Sequence, residues 1–183
     1  MKIRVIIPCF NEGKVVKKTY DRLTEILTEN SKTRRYYYDL LFIDDGSKDN
    51  TIEHIQHLAE YDEHVKYISF SRNFGKEAAM IAGFQHSVNV DAVVMIDGDL
   101  QHPPEFIPKM VEMYQQGFDQ VVAKRDRSGE NVARKTMSKL YYKLINSFVE
   151  DIKFSDGVGD FRLLSQRAVK SIVSLNEYNR FSK

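Results

Sequence analysis

The chain has 183 residues, 42% of them hydrophobic and 29% charged, which suits a globular fold with a sizeable core and argues against disorder. Its 27 Lys and Arg nearly balance 26 Asp and Glu, so net charge makes no case for a nucleic-acid partner. Cys9 is the sole cysteine, which excludes an intrachain disulfide, and no stretch approaches the roughly 18 apolar residues of a membrane-spanning helix.

Strand-like and helix-like segments alternate. Residues 3–8 read as a first strand, which Pro8 stops. The spacing of Val15, Val16, Thr19, Tyr20, Leu23, Ile26 and Leu27 predicts a helix over 14–29. A second strand is expected at 40–43 and a second helix over 49–60, capped by Asp49 or Asn50. A third strand at 65–70 leads to a helix over 76–87. The apolar run at 92–96 predicts a buried fourth strand, and 104–115 a helix with proline in its first turn. A short fifth strand is expected at 120–123. This alternation predicts an α/β fold with a mostly parallel sheet flanked by helices.

Between positions 124 and 145 the cations Lys124, Arg125, Arg127, Arg134, Lys135, Lys139 and Lys143 face only Asp126 and Glu130. Residues 132–149 keep helical periodicity, with Met137, Leu140, Tyr141, Leu144, Ile145 and Phe148 apolar. Such a helix can lie on a membrane surface, or pack on the protein with a solvated basic face. Further on, Gly157 and Gly159 in SDGVGDFRLLSQRAV (155–169) predict a loop able to approach a substrate closely.

Polar clusters follow the strands. IPCFNE puts Asn11 and Glu12 after the first, and FIDDGSKDNT puts Asp44, Asp45 and Gly46 after the second. SFSRNFGKEAA puts Arg72, Gly75 and Lys76 after the third. IDGDLQHPPE puts Asp97, Gly98, Asp99, Gln101 and His102 after the fourth. Taken singly, each is an ordinary polar turn or helix cap. Open α/β sheets bind ligands beyond the carboxyl ends of their strands, so topology would line these clusters along one rim. There Asp97 and Asp99 suit Mg²⁺ or Mn²⁺ shared with phosphates, since hard cations take oxygen ligands. Arg72 and Lys76 can face phosphates, while Glu12 and Asp45 can accept hydrogen bonds from a base or ribose. Neither G-x-G-x-x-G nor G-x-x-x-x-G-K-[ST] is present, which removes support from dinucleotide and P-loop readings. In the 155–169 segment Asp160 can orient or deprotonate an acceptor and Arg162 can neutralise phosphate, or the two form a structural ion pair.

VIIPCFNE, FIDDGSKDNT, SRNFGKEAAMIAGF, MIDGDLQHPPE and DGVGDFRLL, in this order, resemble the family 2 glycosyltransferases, and more narrowly the bacterial polyprenyl-phosphate glycosyltransferases and relatives of dolichyl-phosphate mannose synthase. The resemblance covers nearly the whole chain and implies a single-domain Rossmann-like nucleotide-sugar-binding fold over 1–183. It implies inverting, metal-dependent transfer of a sugar from a nucleotide sugar, with UDP favoured, to undecaprenyl phosphate or a similar lipid. Pro8, Phe10, Glu12 and Asp45 resemble nucleoside-holding positions. Asp97 resembles the first D-x-D carboxylate, and Asp99 and Gln101 the metal ligands. Arg125, Arg134 and Ser138 resemble positions that hold phosphates near the membrane, and Asp160 and Arg162 the acceptor-side catalytic residues. Work at the cytoplasmic face of the bacterial plasma membrane follows, with 131–149 as a membrane-facing helix and homo-oligomerisation left open. The subgroup commonly carries two spanning helices after the catalytic domain, so truncation before them is expected. The alternatives are a glycosyltransferase acting on a carbohydrate hydroxyl, a phosphohydrolase suggested by MIDGD, and a non-catalytic nucleotide-sugar-binding module.

Overall fold

The computed structural model describes residues 1–124 and 158–175. The segment expected to face a membrane, 131–149, and the residues Arg125, Arg134, Ser138 and Asp156 lie outside them. The chain divides into two units, Met1–Val121 with Asp160–Lys183, and Val122–Gly159. The site described below lies within the first.

The elements run β1 (Lys2–Cys9), α1 (Val16–Arg34), β2 (Tyr37–Asp44), α2 (Thr51–Tyr61), β3 (Val65–Ser69), α3 (Lys76–Gln85) and β4 (Ala92–Met95). A one-turn 3-10 helix (Pro104–Phe106) then leads into α4 (Ile107–Gln115), β5 (Gln120–Lys124), β6 (Val158–Ser165) and α5 (Gln166–Ser174). One six-stranded sheet forms in the order β3-β2-β1-β4-β6-β5. The pairs β1–β2, β2–β3 and β1–β4 are parallel, whereas β4–β6 is antiparallel.

Strands covered on both faces are continuous apolar runs rather than alternating ones. Ile3 to Ile7 of β1 and Val93 and Val94 of β4 obey this rule, with Arg4 the one charged side chain among them. One face packs Ile6, Leu41, Ile43, Val93 and Met95 against Ala79, Met80 and Phe84 of α3 and Val169 of α5. The alternate residues Val5, Ile7, Leu40, Phe42 and Val94 are equally buried, so the other face is covered too. Gly83 lets α3 approach β1 closely, since a Cβ there would lie 2.6 Å from Cγ2 of Ile6.

Arg4 is tolerated in the core because it is paired. Its Nε and Nη2 donate to the two oxygens of the fully buried Asp39 at 2.6 and 2.8 Å.

The chain runs from β1 through α1 to β2 on one side of β1, and from β3 through α3 to β4 on the other. The strand order therefore reverses between β1 and β4. At such a switch point the connections diverge and leave a crevice at the carboxyl ends.

One segment departs from the loop expected at 155–169. Val158–Ser165 is a strand, pairing Arg162 with Met95 and Leu163 with Val94. Phe161 and Leu163 are buried while Asp160 and Arg162 are partly exposed, so a period of two runs through this stretch. Ser165 then caps α5, its hydroxyl accepting the Ala168 N–H at 3.2 Å.

Candidate active site

The carboxyl ends of β1, β2 and β4 and the turn before α3 enclose a cleft of about 300 Å³. Pro8, Phe10, Glu12, Asp45, Lys76, Asp97, Gly98 and Asp99 all line it. Cys9, Asn73 and Ala79 line it as well, and the sequence reading passed over them. Cys9 continues β1 to the same rim, so its position was available. Burial first, then the charges of Glu12, Asp44 and Asp97, pushes its thiol up, which leaves it protonated and unsuited to act as a nucleophile.

The rim is built by turns that hold one another. Asn11, at φ 56°, accepts the Lys48 N–H at 2.9 Å, and its own N–H donates to the Ser47 hydroxyl at 2.9 Å. The Glu12 N–H donates to Thr51 Oγ1 at 2.8 Å. These bonds fix the β1 turn to the β2 turn. The buried Asp45 carboxylate accepts the N–H groups of Phe74 at 2.7 Å and Gly75 at 2.9 Å, which holds the turn that launches α3. Gly46 has φ +65°, and a Cβ there would lie 2.3 Å from the carbonyl carbon of Arg72, so only glycine fits. The Thr19 hydroxyl of α1 donates to the Gly98 carbonyl at 2.6 Å and ties down the D-G-D turn. Its signal was hidden, because a threonine on the apolar stripe of a helix reads as core.

Three of the expected site residues meet at one atom. Lys76 Nζ lies 2.5 Å from Asp97 Oδ1 and 2.8 Å from Asp160 Oδ2. Arg162 Nη2 is 3.5 Å from the other Asp160 oxygen, and His102 Nε2 is 3.9 Å from Asp97 Oδ2. Burial works against the Lys76 charge, yet hydrogen bonds to Asp160 and Asp97 outweigh it and hold the ammonium above its ordinary value. Glu12 shows the opposite surroundings. Burial raises its carboxyl, and the charges of Asp99, Asp49 and Asp97 raise it further. The cleft is thus rich in carboxylates, with Lys76 its one lining cation among the described residues.

Other expected residues sit elsewhere. Asp44 is buried, accepting the Ser69 hydroxyl at 2.9 Å and the Ser47 N–H at 3.2 Å, and serves the turn. The exposed Arg72 guanidinium stacks 4.1 Å from the Phe74 ring centroid rather than lining the cleft. Gln101 is exposed and lines a separate, wider groove of about 570 Å³ between α1 and the turn after Asp99, beside Lys18, Arg22 and Glu105. That groove includes neither D-x-D carboxylate, and Arg22 is already paired with Glu105 at 2.5 Å. The smaller cleft, which holds both D-x-D carboxylates, is therefore the candidate site.

Among the described residues, no three of His, Cys, Asp and Glu are grouped as a metal cage. An all-oxygen donor set of one or two carboxylates completed by substrate phosphates is nevertheless how Mg²⁺ is commonly held. Asp97 and Asp99 fit that description, and the ammonium on Asp97 shows that the spot accepts a cation.

Comparison with known proteins settles the family. A family model described as "Glycosyl transferase family 2" matches residues 4–173. The chain belongs to glycosyl transferase family 2. It is 49% identical over 181 residues to CsbB of Bacillus subtilis (strain 168), covering 99% of this chain and 53% of that protein. It is 42% identical over 184 residues to the bactoprenol glucosyl transferase of Shigella phage SfX, covering 100% of this chain and 58% of that one. The chain thus spans little more than half the length of these curated relatives. Among solved structures it resembles the mannosyltransferase PcManGT from Pyrobaculum calidifontis, in complex with GDP-Man and Mn²⁺. That likeness has a TM-score of 0.56 at 21% identity, covers 69% of this chain and 36% of the other, and is one of fold.

Proposed function

We propose that this chain is the catalytic part of an inverting glycosyltransferase that moves a sugar from a nucleotide sugar, UDP-linked by preference, to a polyprenyl phosphate. The observation that carries the reading is the convergence of Glu12, Asp97, Asp99, Lys76 and Asp160 on one cleft at the strand ends. Family membership supports sugar transfer, and similarity to a bactoprenol glucosyl transferase over the whole of this chain supports a lipid phosphate as acceptor.

The chemistry suits that acceptor. A phosphate monoester is already anionic near neutral pH, its second pKa being about 6, so little proton abstraction is needed. Its oxygen bonds to the anomeric carbon as the bond to the nucleoside diphosphate breaks, and the main demand is charge stabilisation on that leaving group. Mg²⁺ or Mn²⁺ held by Asp97 and Asp99 would supply a Lewis acid there. Pro8, Phe10, Glu12 and Asp45 hold the nucleoside end of the cleft. Lys76 offers a cation to the phosphates. Asp160, fixed by Lys76 and Arg162, orients the acceptor. Arg125, Arg134 and Ser138 receive phosphates in this reading, and the basic stretch around them, with 131–149, meets an anionic membrane surface.

The test is transfer of labelled glucose from UDP-glucose to undecaprenyl phosphate in detergent, followed as label extractable into organic solvent. Metal-dependent extractable product is expected. Label transferred instead only to a carbohydrate acceptor, with a stringent need for Asp160, would favour the hydroxyl-acceptor alternative.

A further inference from the structure

The groove between α1 and the turn after Asp99 is lined by charges that already pair across it. The ring stack of Tyr37, His64 and Tyr38 lies at the far end of β2, away from the cleft. The Lys76 ammonium, by contrast, occupies the carboxylate that a metal–nucleotide complex needs.

We propose that Lys76 is a resident cation that holds the carboxylates of the cleft together and changes partner when a divalent ion with its nucleotide arrives. This deepens the nucleotide-sugar reading and rests on it. The geometry states the conflict directly. Lys76 Nζ sits 2.5 Å from Asp97 Oδ1, the closest of its contacts, and 2.8 Å from Asp160 Oδ2. A divalent ion on the Asp97 carboxylate and an ammonium on its Oδ1 repel each other, which favours departure of the ammonium. Leaving is available to Lys76. Its side chain is 42% exposed, against 24% for Asp97 and 18% for Asp160, and it ends a flexible four-carbon stem on the first residue of α3. Asp160 stays anchored when it goes, because Arg162 approaches its other oxygen.

The exchange has a chemical use. Without ligand, Glu12, Asp97 and Asp99 share one cleft, and Lys76 offsets part of their mutual repulsion. With a metal–nucleotide complex bound, the metal takes over that role, and the released ammonium is in reach of the anionic phosphates. Lys76 therefore opposes a bare metal ion but favours a metal ion that brings a diphosphate. It acts as a selectivity device, a positioning residue that discourages non-productive occupancy by free metal.

This predicts a reversal of sign. Mn²⁺ binding to the chain is followed by electron paramagnetic resonance, with and without UDP, for the parent, Lys76→Met, Lys76→Gln and Lys76→Arg. Without nucleotide, both neutral variants should bind Mn²⁺ at least about fivefold more tightly than the parent, a floor set by two unit charges about 4 Å apart at the dielectric of water and exceeded by a divalent ion. With UDP, the same variants should bind the Mn²⁺–UDP complex more weakly than the parent. Lys76→Arg keeps the charge and should follow the parent in the first measurement. The neutral pair guards against one replacement disturbing α3, and far-ultraviolet circular dichroism confirms folding. Unchanged or weaker free Mn²⁺ binding in both folded neutral variants, with Mn²⁺–UDP binding intact in the parent, overturns the exchange alone. Absence of Mn²⁺ binding in every protein, with and without UDP, overturns the exchange and the Mn²⁺-dependent form of the nucleotide-sugar reading together.

Discussion

Gly46→Ala probes how the β2 turn supports the cleft. Gly46 sits at φ +65°, where a Cβ costs about 1–2 kcal/mol in the left-handed region. The new methyl would also lie 2.3, 2.6 and 2.7 Å from the carbonyl carbon, Cα and carbonyl oxygen of Arg72. These are backbone atoms, so relief requires the 71–75 segment to move rather than a side chain to turn aside. Forcing one extra methyl into packed surroundings costs about 1–3 kcal/mol. The sum is about 2–5 kcal/mol. At a urea m-value of about 2 kcal/mol/M, the unfolding midpoint should fall by about 1–2.5 M with m unchanged. If the segment yields instead, the hydrogen bonds from Phe74 and Gly75 to Asp45 loosen, Lys76 shifts, and UDP affinity falls while stability drops less. Urea unfolding and calorimetric titration with UDP read the two outcomes. A midpoint within about 0.2 M of the parent together with unchanged UDP affinity would refute the reasoning.

Three further outcomes follow from the same structure. Asp39→Asn leaves the Arg4 guanidinium buried without its carboxylate and should cost about 3–5 kcal/mol in urea unfolding at pH 7. Burial raises the Asp39 carboxyl, but the hydrogen bonds and charge of Arg4, aided by Lys2, hold it below its ordinary value. Its stabilisation is therefore complete above the unfolded-state pKa of about 4 and is lost as pH falls through the folded value; the parent should lose stability there, with part of that slope missing in Asp39→Asn. Gly83→Ala gains about 1 kcal/mol of helix propensity but drives a methyl to 2.6 Å from buried Ile6, so a net loss near 1 kcal/mol is expected in thermal or urea unfolding, and net stabilisation would show that α3 can retreat. For catalysis, Asp99→Ala should lower kcat at saturating substrates more than Asp160→Ala, because an anionic phosphate acceptor needs charge stabilisation on the leaving group more than a base; the reverse order would point to a hydroxyl acceptor.

Much of the cleft was legible because strand ends can be read from apolar runs. The run at Val93–Ile96 ends where Asp97 and Gly98 begin, the run at Ile3–Ile7 leads through Pro8 to Asn11 and Glu12, and parallel topology does the rest. The helix starts were less legible. The first helix begins at Val16 rather than 14, because the Glu12 carbonyl accepts both the Val15 and Val16 N–H groups in a tight turn. The 155–169 segment misled because Gly157 and Gly159 signal a turn more strongly than the alternation of Asp160, Phe161, Arg162 and Leu163 signals a strand. Its pairing with β4 is what carries Asp160 toward the D-x-D turn. The meeting of Lys76 with Asp97 and Asp160 joins three separate elements, and no local pattern encodes it. The placement of Arg72 on Phe74 and of Gln101 in the neighbouring groove is equally a matter of side-chain direction.

Calorimetric titration of the chain with UDP, GDP, dTDP and the matching sugar nucleotides, with and without Mn²⁺, tests the central claim most directly. The account predicts metal-dependent binding of one nucleotide class, UDP before the others, and its loss in Asp99→Ala. Binding of no nucleotide by a folded sample, or binding indifferent to both Mn²⁺ and Asp99, would contradict it.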